Sequence, residues 1–390
     1  REVVDWMLAL GSRLAGFRPA LSRVLLGDAV LTGGVAGYVS RSYTTAITSE
    51  SKLLDAEKEV FRANGALSLV SLEDTRIASG ESLHSAKISA KISSAAPPLV
   101  ITPGYASGVG FFARNVPHLH SEIAEHKQKP RECHIVDWLG TGLSSRPRFS
   151  ARSLAETEAF FVESLEGWRA AQKIDKMVLC GHSLGGYLSF AYAERYPSRV
   201  EHLVLLSPAG VPHEPEGFRS RLNARLPWLA RALLPVVTTA WSAGVTPGSV
   251  VRVMGPYGRG FVESLVRRRF GEGETRDLEA LADYAYLNVA LEGSGEHALS
   301  QILRPFAWAH SPLCDRIEGL RQRGVTDISF IYGDHDWMDH THALAVQKAN
   351  PSVPIEVKVV PRAGHQLQLQ NPRGFSMALA EAVQGRSVLY

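Results

Sequence analysis

Gly181-His182-Ser183-Leu184-Gly185-Gly186 stands between an apolar run at 177–180 and a proline-free, helix-like stretch at 187–196, and it constrains this chain more than any other feature. A serine is lifted out of a sheet when the backbone turns sharply from strand into helix, and small residues two before and two after it let the chain pass itself. Gly181 and Gly185 occupy those two positions. Met177-Val178-Leu179 suits a strand buried on both faces, the setting such a turn requires. The pattern predicts Ser183 as a nucleophile, so the rest of the chain must supply a base, an acid and an oxyanion hole.

The flanking sequence fits that expectation. Strands are predicted at 66–72, 83–93, 97–102, 133–137, 177–180, 202–206, 328–332 and 355–360, with helices near 114–126, 154–172, 184–196, 341–349 and 374–383. Strands that alternate with helices imply an α/β fold, a mostly parallel sheet covered on both faces. The 390 residues, 45% of them hydrophobic, suffice for a large core plus an insertion. About 120 residues between Ser207 and Ile328 break the alternation and exceed any single crossover. The expected organisation is therefore an N-terminal segment at 1–50, a core at 51–212, an inserted helical cap at 213–320 and the rest of the core at 321–390.

In such sheets the reactive groups sit on loops at the carboxyl ends of strands. His365, in Arg362-Ala363-Gly364-His365, follows the last predicted strand and suits a general base. The turn Gly333-Asp334-His335-Asp336-Trp337-Met338-Asp339 offers three carboxylates. Asp336 is favoured by its offset of three from Gly333; Asp339 and Asp334 remain alternatives, the latter also reading as a turn-forming Asp. The oxyanion hole requires two backbone N–H groups. Leu184, next to the serine, would supply one, and Tyr105, in Pro103-Gly104-Tyr105-Ala106-Ser107-Gly108, the other. His182 reads as packing, because its side chain must point away from its neighbour's. The loop from Asp137 to Pro147 reads as a turn lining the site, since it lacks the Gly-X-Gly-X-X-Gly spacing or Lys-Ser/Thr ending of a nucleotide loop.

Cys133, Cys180 and Cys314 are odd in number and widely spaced, which argues against a disulfide framework or a zinc site and for a reducing, intracellular compartment. No cofactor or metal is called for. Residues 3–26 mix Trp6, Leu10, Leu14, Phe17 and Leu21 with Arg13, Arg18 and Arg23. Two readings fit them, a membrane-surface or targeting helix and an amphipathic helix packed on the body.

Several extended strings narrow the family. Gly181 to Ser189, Ala191-Tyr192-Ala193-Glu194-Arg195-Tyr196-Pro197, and Val200 to Pro212 are joined by Asp137-Trp138-Leu139-Gly140 with Ser144-Ser145-Arg146-Pro147, and by Tyr332 to Asp339. Together they resemble the α/β-hydrolase subfamily of the comparative-gene-identification-58 lipid-droplet protein, the N-acyl phospholipid lipase and the fungal cardiolipin-specific deacylases. The resemblance implies ester hydrolysis on phospholipids or lysophospholipids, with peripheral membrane contact at mitochondria or lipid droplets. It also implies two distinctions. The lipid-droplet coactivator has Asn where this chain has Ser183, which places the chain with the hydrolytic branch. The family's His-X4-Asp, linked with acyltransferase activity, is broken by Gln370, five residues after His365.

The expected cap adds a hint about substrate. Residues 213–270 hold nine arginines, no lysine and three glutamates, a balance of +6 against +3 for the whole chain. Arginine suits phosphate, and Arg267-Arg268-Arg269 is the densest cluster, hence the expected substrate-binding residues. Residues 232–251 are uncharged, and Pro235 and Pro247 argue against a spanning helix. They read either as an apolar lip that meets acyl chains or a membrane, or as a helix packed on the core. Nucleic acid is excluded, since no aromatic-interleaved basic motif accompanies the arginines. The expectation is a serine esterase acting on an anionic phospholipid or other acyl ester. The alternatives are a neutral-lipid or small-ester hydrolase and a membrane-docked scaffold that activates another lipase.

Overall fold

The computed structural model of the chain describes residues 49–90, 96–127, 129–271, 275–325 and 327–384. The amphipathic stretch at 3–26 lies outside the described residues.

The chain enters through helix α1 (Glu50–Ala63), capped by Ser49, whose Oγ accepts from the Lys52 amide. The strands β1 (Ser71–Arg76), β2 (Ser82–Ile88), β3 (Leu99–Thr102) and β4 (Cys133–Val136) follow. Then come α2 (Leu154–Ala171), β5 (Met177–His182), α3 (Leu184–Arg195) and β6 (Val200–Leu206). The chain leaves the sheet after β6 for α4 (Phe218–Arg225), α5 (Trp228–Ser242), α6 (Pro247–Val253), α7 (Pro256–Phe270) and α8 (Thr275–Ala290). It returns through β7 (Ile328–Gly333), α9 (Thr341–Ala349), β8 (Ile355–Val360) and α10 (Pro372–Gln384).

The eight strands form one sheet in the order β1-β2-β4-β3-β5-β6-β7-β8, antiparallel at β1/β2 and β2/β4 and parallel from β4 onward. Alternate side chains of β5 feed two apolar layers. Val178 and Cys180 join Phe61 of α1, Phe112, and Phe375 and Leu379 of α10. Met177 and Leu179 join Phe161 and Trp168 of α2 and Leu188 and Phe190 of α3. With both faces covered, β5 reads as a continuous apolar run, as a central parallel strand should. Gly181 pairs with Thr102 on one side and Leu205 on the other, so the turn at Ser183 emerges between the carboxyl ends of β3 and β6. That is the crevice where open α/β sheets place ligands.

Two predicted elements differ. The strand expected at 66–72 is a short 3₁₀ turn over Leu67–Leu69, and the strand follows it at Ser71–Arg76, a half-exposed edge strand whose polar sequence carries no core alternation. The helix expected at 114–126 is broken into a 3₁₀ segment, a single α-turn at Val116–Leu119 and a π-turn at His120–Ala124. Pro117, without an N–H to donate, interrupts any continuous ladder there. In the insertion α8 packs against both α7 and α1, and α5 runs on through Pro235. Among the described residues no helix is long and apolar enough to cross a membrane.

Candidate active site

Ser183 adopts φ 55° and ψ −119°, a conformation that costs a non-glycine residue about 1–3 kcal/mol. The surroundings hold it there: its N–H donates to the Leu206 carbonyl at 2.9 Å and its own carbonyl accepts from Ala209 at 3.0 Å. The two flanking glycines are required by space. A Cβ on Gly181 would overlap the Gly185 carbonyl oxygen, and one on Gly185 would overlap that of Pro103.

His365, on the loop after β8, is reached across the sheet. Its Nε2 lies 2.9 Å from Ser183 Oγ and its Nδ1 3.1 Å from Asp336 Oδ1. Asp336 also accepts the Met338 amide at 2.9 Å. Burial pushes its carboxyl toward the neutral form, but the charge and hydrogen bond of His365 prevail and hold its pKa below the ordinary value. The other two carboxylates of this turn serve the backbone. Asp334 Oδ1 accepts the Ala363 amide at 3.0 Å, and Asp339 Oδ1 accepts that of Thr341 at 2.9 Å, at the start of α9. The structure thus joins Ser183, His365 and Asp336, in that order, and leaves Asp334 and Asp339 outside the chain of hydrogen bonds.

Two neighbours position His365. Gln370 Oε1 accepts the Gly364 amide at 2.8 Å. His182, fully buried behind the serine, has its Nε2 2.8 Å from the His365 carbonyl oxygen. Burial, reinforced by His365, depresses the His182 pKa to about 3, so the imidazole is neutral and donates through Nε2. The sequence offered no sign of this role, because the contact spans 183 residues.

Tyr105 and Leu184 line one small cavity with Gly104, Ser107, Trp138 and Arg146. Neither the Tyr105 nor the Leu184 amide has a hydrogen-bond partner among the described residues. Trp138 Nε1 donates to the Pro103 carbonyl at 3.1 Å and fixes the Tyr105 loop. The loop after β4 is braced by the buried Asp137, which accepts the amides of Val109 and Leu143 at 3.0 Å each. The cavity volume is about 40 Å³. That is room for a few waters or one small tetrahedral group.

Arg267, Arg268 and Arg269 form the last turn of α7 and do not line this cavity. Arg267 pairs with Glu263 at 3.0 Å and Glu279 at 3.4 Å. Much of the insertion's positive charge is answered the same way: Arg259 by Asp283, and Arg252 by Glu296. Three of these acids lie beyond residue 270, where a local charge count ends. Elsewhere, at the surface, His213, Cys314 and Asp315 bring three ligand-type atoms within 4.8 Å of one another, with His213 and Asp315 already an ion pair at 2.9 Å.

Residues 97–372 match the alpha/beta hydrolase fold family. The chain belongs to that family. This α/β hydrolase is 36% identical over 294 residues to a rice protein described as a probable 1-acylglycerol-3-phosphate O-acyltransferase, with 74% of the chain and 67% of the relative covered. It is 32% identical to rat 1-acylglycerol-3-phosphate O-acyltransferase ABHD5, covering 91% of the chain and 95% of the relative. With bovine (lyso)-N-acylphosphatidylethanolamine lipase it shares 33% identity, over 73% and 78% of the two chains. Among solved structures, a bacterial membrane phospholipase A superposes with a TM-score of 0.52 at 17% identity over 94% of this hydrolase and 98% of that chain. The carboxylesterase CesB of Bacillus subtilis gives 0.53 at 18% identity over 86% and 99%. Both likenesses speak to the fold alone.

Proposed function

We propose that this α/β hydrolase cleaves carboxyl esters of phospholipids or lysophospholipids through an acyl-Ser183 intermediate. The observation that carries the reading is the continuous hydrogen-bonded arrangement Ser183–His365–Asp336, set beside two unpartnered amides. In the first half-reaction His365 Nε2 takes the Ser183 proton as Oγ attacks the ester carbonyl. The developing alkoxide is stabilised by the amides of Leu184 and Tyr105, and His365 returns the proton to the departing alcohol. In the second half-reaction His365 activates water against the acyl-serine, and the fatty acid leaves. Asp336 keeps the Nδ1 proton in place and stabilises the imidazolium.

The lipid substrate is supported by relatives whose names specify acyl-lipid chemistry. Contact with a membrane is supported by the insertion's surface: Trp228, Val236, Val245, Val253 and Tyr257 are exposed there, five large apolar residues within thirty positions of one another. Water as the acceptor is supported by Gln370, which braces Gly364 where the family's acyltransferase-linked pattern has an acid. The test is to incubate wild type and Ser183→Ala with liposomes of defined headgroup and to measure released fatty acid and lysolipid. Release by wild type alone is expected. No release on any lipid would sink the hydrolase reading, and equal release from both proteins would sink Ser183 as nucleophile.

A further inference from the structure

Two residues that line the small cavity beside Leu184 each carry a buried polar atom with no hydrogen-bond partner among the described residues. Ser107, 2% exposed, has an unpartnered Oγ, and Arg146 has an unpartnered Nε–H. Both residues line the cavity together with Tyr105 and Leu184. A buried donor without a partner is costly, and few are tolerated in a folded protein.

Arg146 is placed differently from Arg252, a half-buried arginine of the insertion. Arg252 is bound to the Glu296 carboxylate, and Glu296, the one carboxylate lining this cavity, is further engaged by Thr246. Arg146 has no carboxylate within ion-pair distance among the described residues. Three bonds hold it, to the carbonyls of Glu292, Gly142 and Asn288, and a guanidinium has five N–H donors. Among the described residues its Nε–H remains a buried donor without a partner, and the guanidinium's charge is paired with no carboxylate. Burial pulls the Arg146 pKa down, a pull that the nearby carboxylates of Glu296 and Asp137 only partly oppose. An anion at the wall would relieve both the unmet donor and the unpaired charge. Arg146 was hidden from a charge count because it lies outside the arginine-rich insertion.

We propose that the cavity between Arg146 and Ser107 is a phosphate-ester subsite, in which the Arg146 guanidinium and the Ser107 hydroxyl donate to the phosphate oxygens of the acyl lipid's glycerophosphate group. Its place deepens the acyl-serine reading, on which its catalytic meaning rests. Tyr105 and Leu184, whose amides would receive the oxyanion, line the cavity together with Arg146, so a phosphate bound there would sit next to the reacting ester. The volume suits a single phosphate group. Arg267, Arg268 and Arg269 then have no part in headgroup binding.

The test reads binding without turnover, in the full chain carrying Ser183→Ala, by titration calorimetry with sn-glycerol 3-phosphate, inorganic phosphate and glycerol. The expected result is binding of the two anions and none of glycerol, weakened about 10- to 100-fold by Arg146→Gln and about tenfold by Ser107→Ala. Glycerol 3-phosphate binding more tightly than phosphate identifies a lipid headgroup as the natural occupant; equal binding identifies free phosphate, and either supports the site. Arg146→Gln also gives up three carbonyl contacts, so thermal melting must show it folded. Ser107→Ala touches none of those contacts and keeps the test decisive if Arg146→Gln is not folded. Absence of anion binding by the Ser183→Ala protein, or undiminished binding by the folded variants, overturns the proposal. Because hydrolysis is not read, anion binding by a protein that releases no fatty acid would sink the hydrolase reading and leave the subsite standing.

Discussion

His182 Nε2 lies 2.8 Å from the carbonyl oxygen of His365. The residue before the serine thus anchors the backbone of the histidine that partners the serine, so one strand end places both groups. Since His182 is held neutral by burial, down to a pKa of about 3, the anchor does not change across the working pH range. His182→Ala should lower kcat toward a soluble ester such as p-nitrophenyl butyrate by about 10- to 100-fold, the scale of a displacement near 1 Å at a reacting group. KM should stay nearly constant. A loss that appears in KM alone would show that His182 shapes the pocket and does not position the base.

The three carboxylates after β7 should separate cleanly under substitution. Asp336→Asn would permit the wrong tautomer of His365 and should cost on the order of 10⁴-fold in kcat. Asp334→Asn and Asp339→Asn keep an amide oxygen that can still accept the Ala363 and Thr341 amides, so both should stay within a few-fold of wild type. Steady-state kinetics on one soluble ester decide this. A large loss at Asp339 with little at Asp336 would reassign the acid.

Stability should fall as pH rises from 7 to 9, because of the buried His84, away from the serine. His84 lies between Asp74 at 2.6 Å and Glu57 at 2.8 Å, and Tyr284 of α8 donates to Glu57 at 3.1 Å. Burial opposes the imidazolium, but hydrogen bonds to Asp74 and Glu57 prevail and raise its pKa to about 10. A folded-state pKa above the unfolded value of about 6.5 means that the contribution is complete below pH 6.5 and is lost through pH 10. The loss approaches about 1.4 kcal/mol per pH unit for one proton. The thermal midpoint of wild type should therefore drop over this window, and that of His84→Asn, already lower, should drop less. A flat wild-type profile from pH 7 to 9 would refute the charged His84.

Legibility from sequence followed the range of the signal. Ser183 was readable because the turn's demands fall within five residues, and the glycines that meet them are Gly181 and Gly185. His365 and Asp336 were readable from their distance to predicted strand ends, since a parallel sheet brings its carboxyl ends together. Contacts that no local pattern encodes were not readable. His182 with His365, Arg146 with Asn288, and Glu57 with Tyr284 each join residues more than a hundred positions apart. The charge count over 213–270 misled for the same reason, since Glu279, Asp283 and Glu296 answer its arginines from outside the window. The edge strand β1 was misplaced because a half-exposed strand such as Ser71–Arg76 has no core face to announce it.

Membrane contact should depend more on the insertion's apolar residues than on its arginine triplet. Trp228 and Tyr257 are 79% and 63% exposed, a cost in water that a bilayer interface would remove. Arg267, by contrast, already has two carboxylate partners. In vesicle sedimentation, Trp228→Ala with Tyr257→Ala should weaken partitioning by about tenfold or more on neutral and anionic vesicles alike. Reversing Arg267, Arg268 and Arg269 to Glu should weaken it only on anionic vesicles, and the difference should fade as salt rises and screens the charges. If the aromatic pair changes nothing while the triplet abolishes binding to every vesicle, the exposed apolar residues are an ordinary protein surface, and the docking reading of the insertion fails.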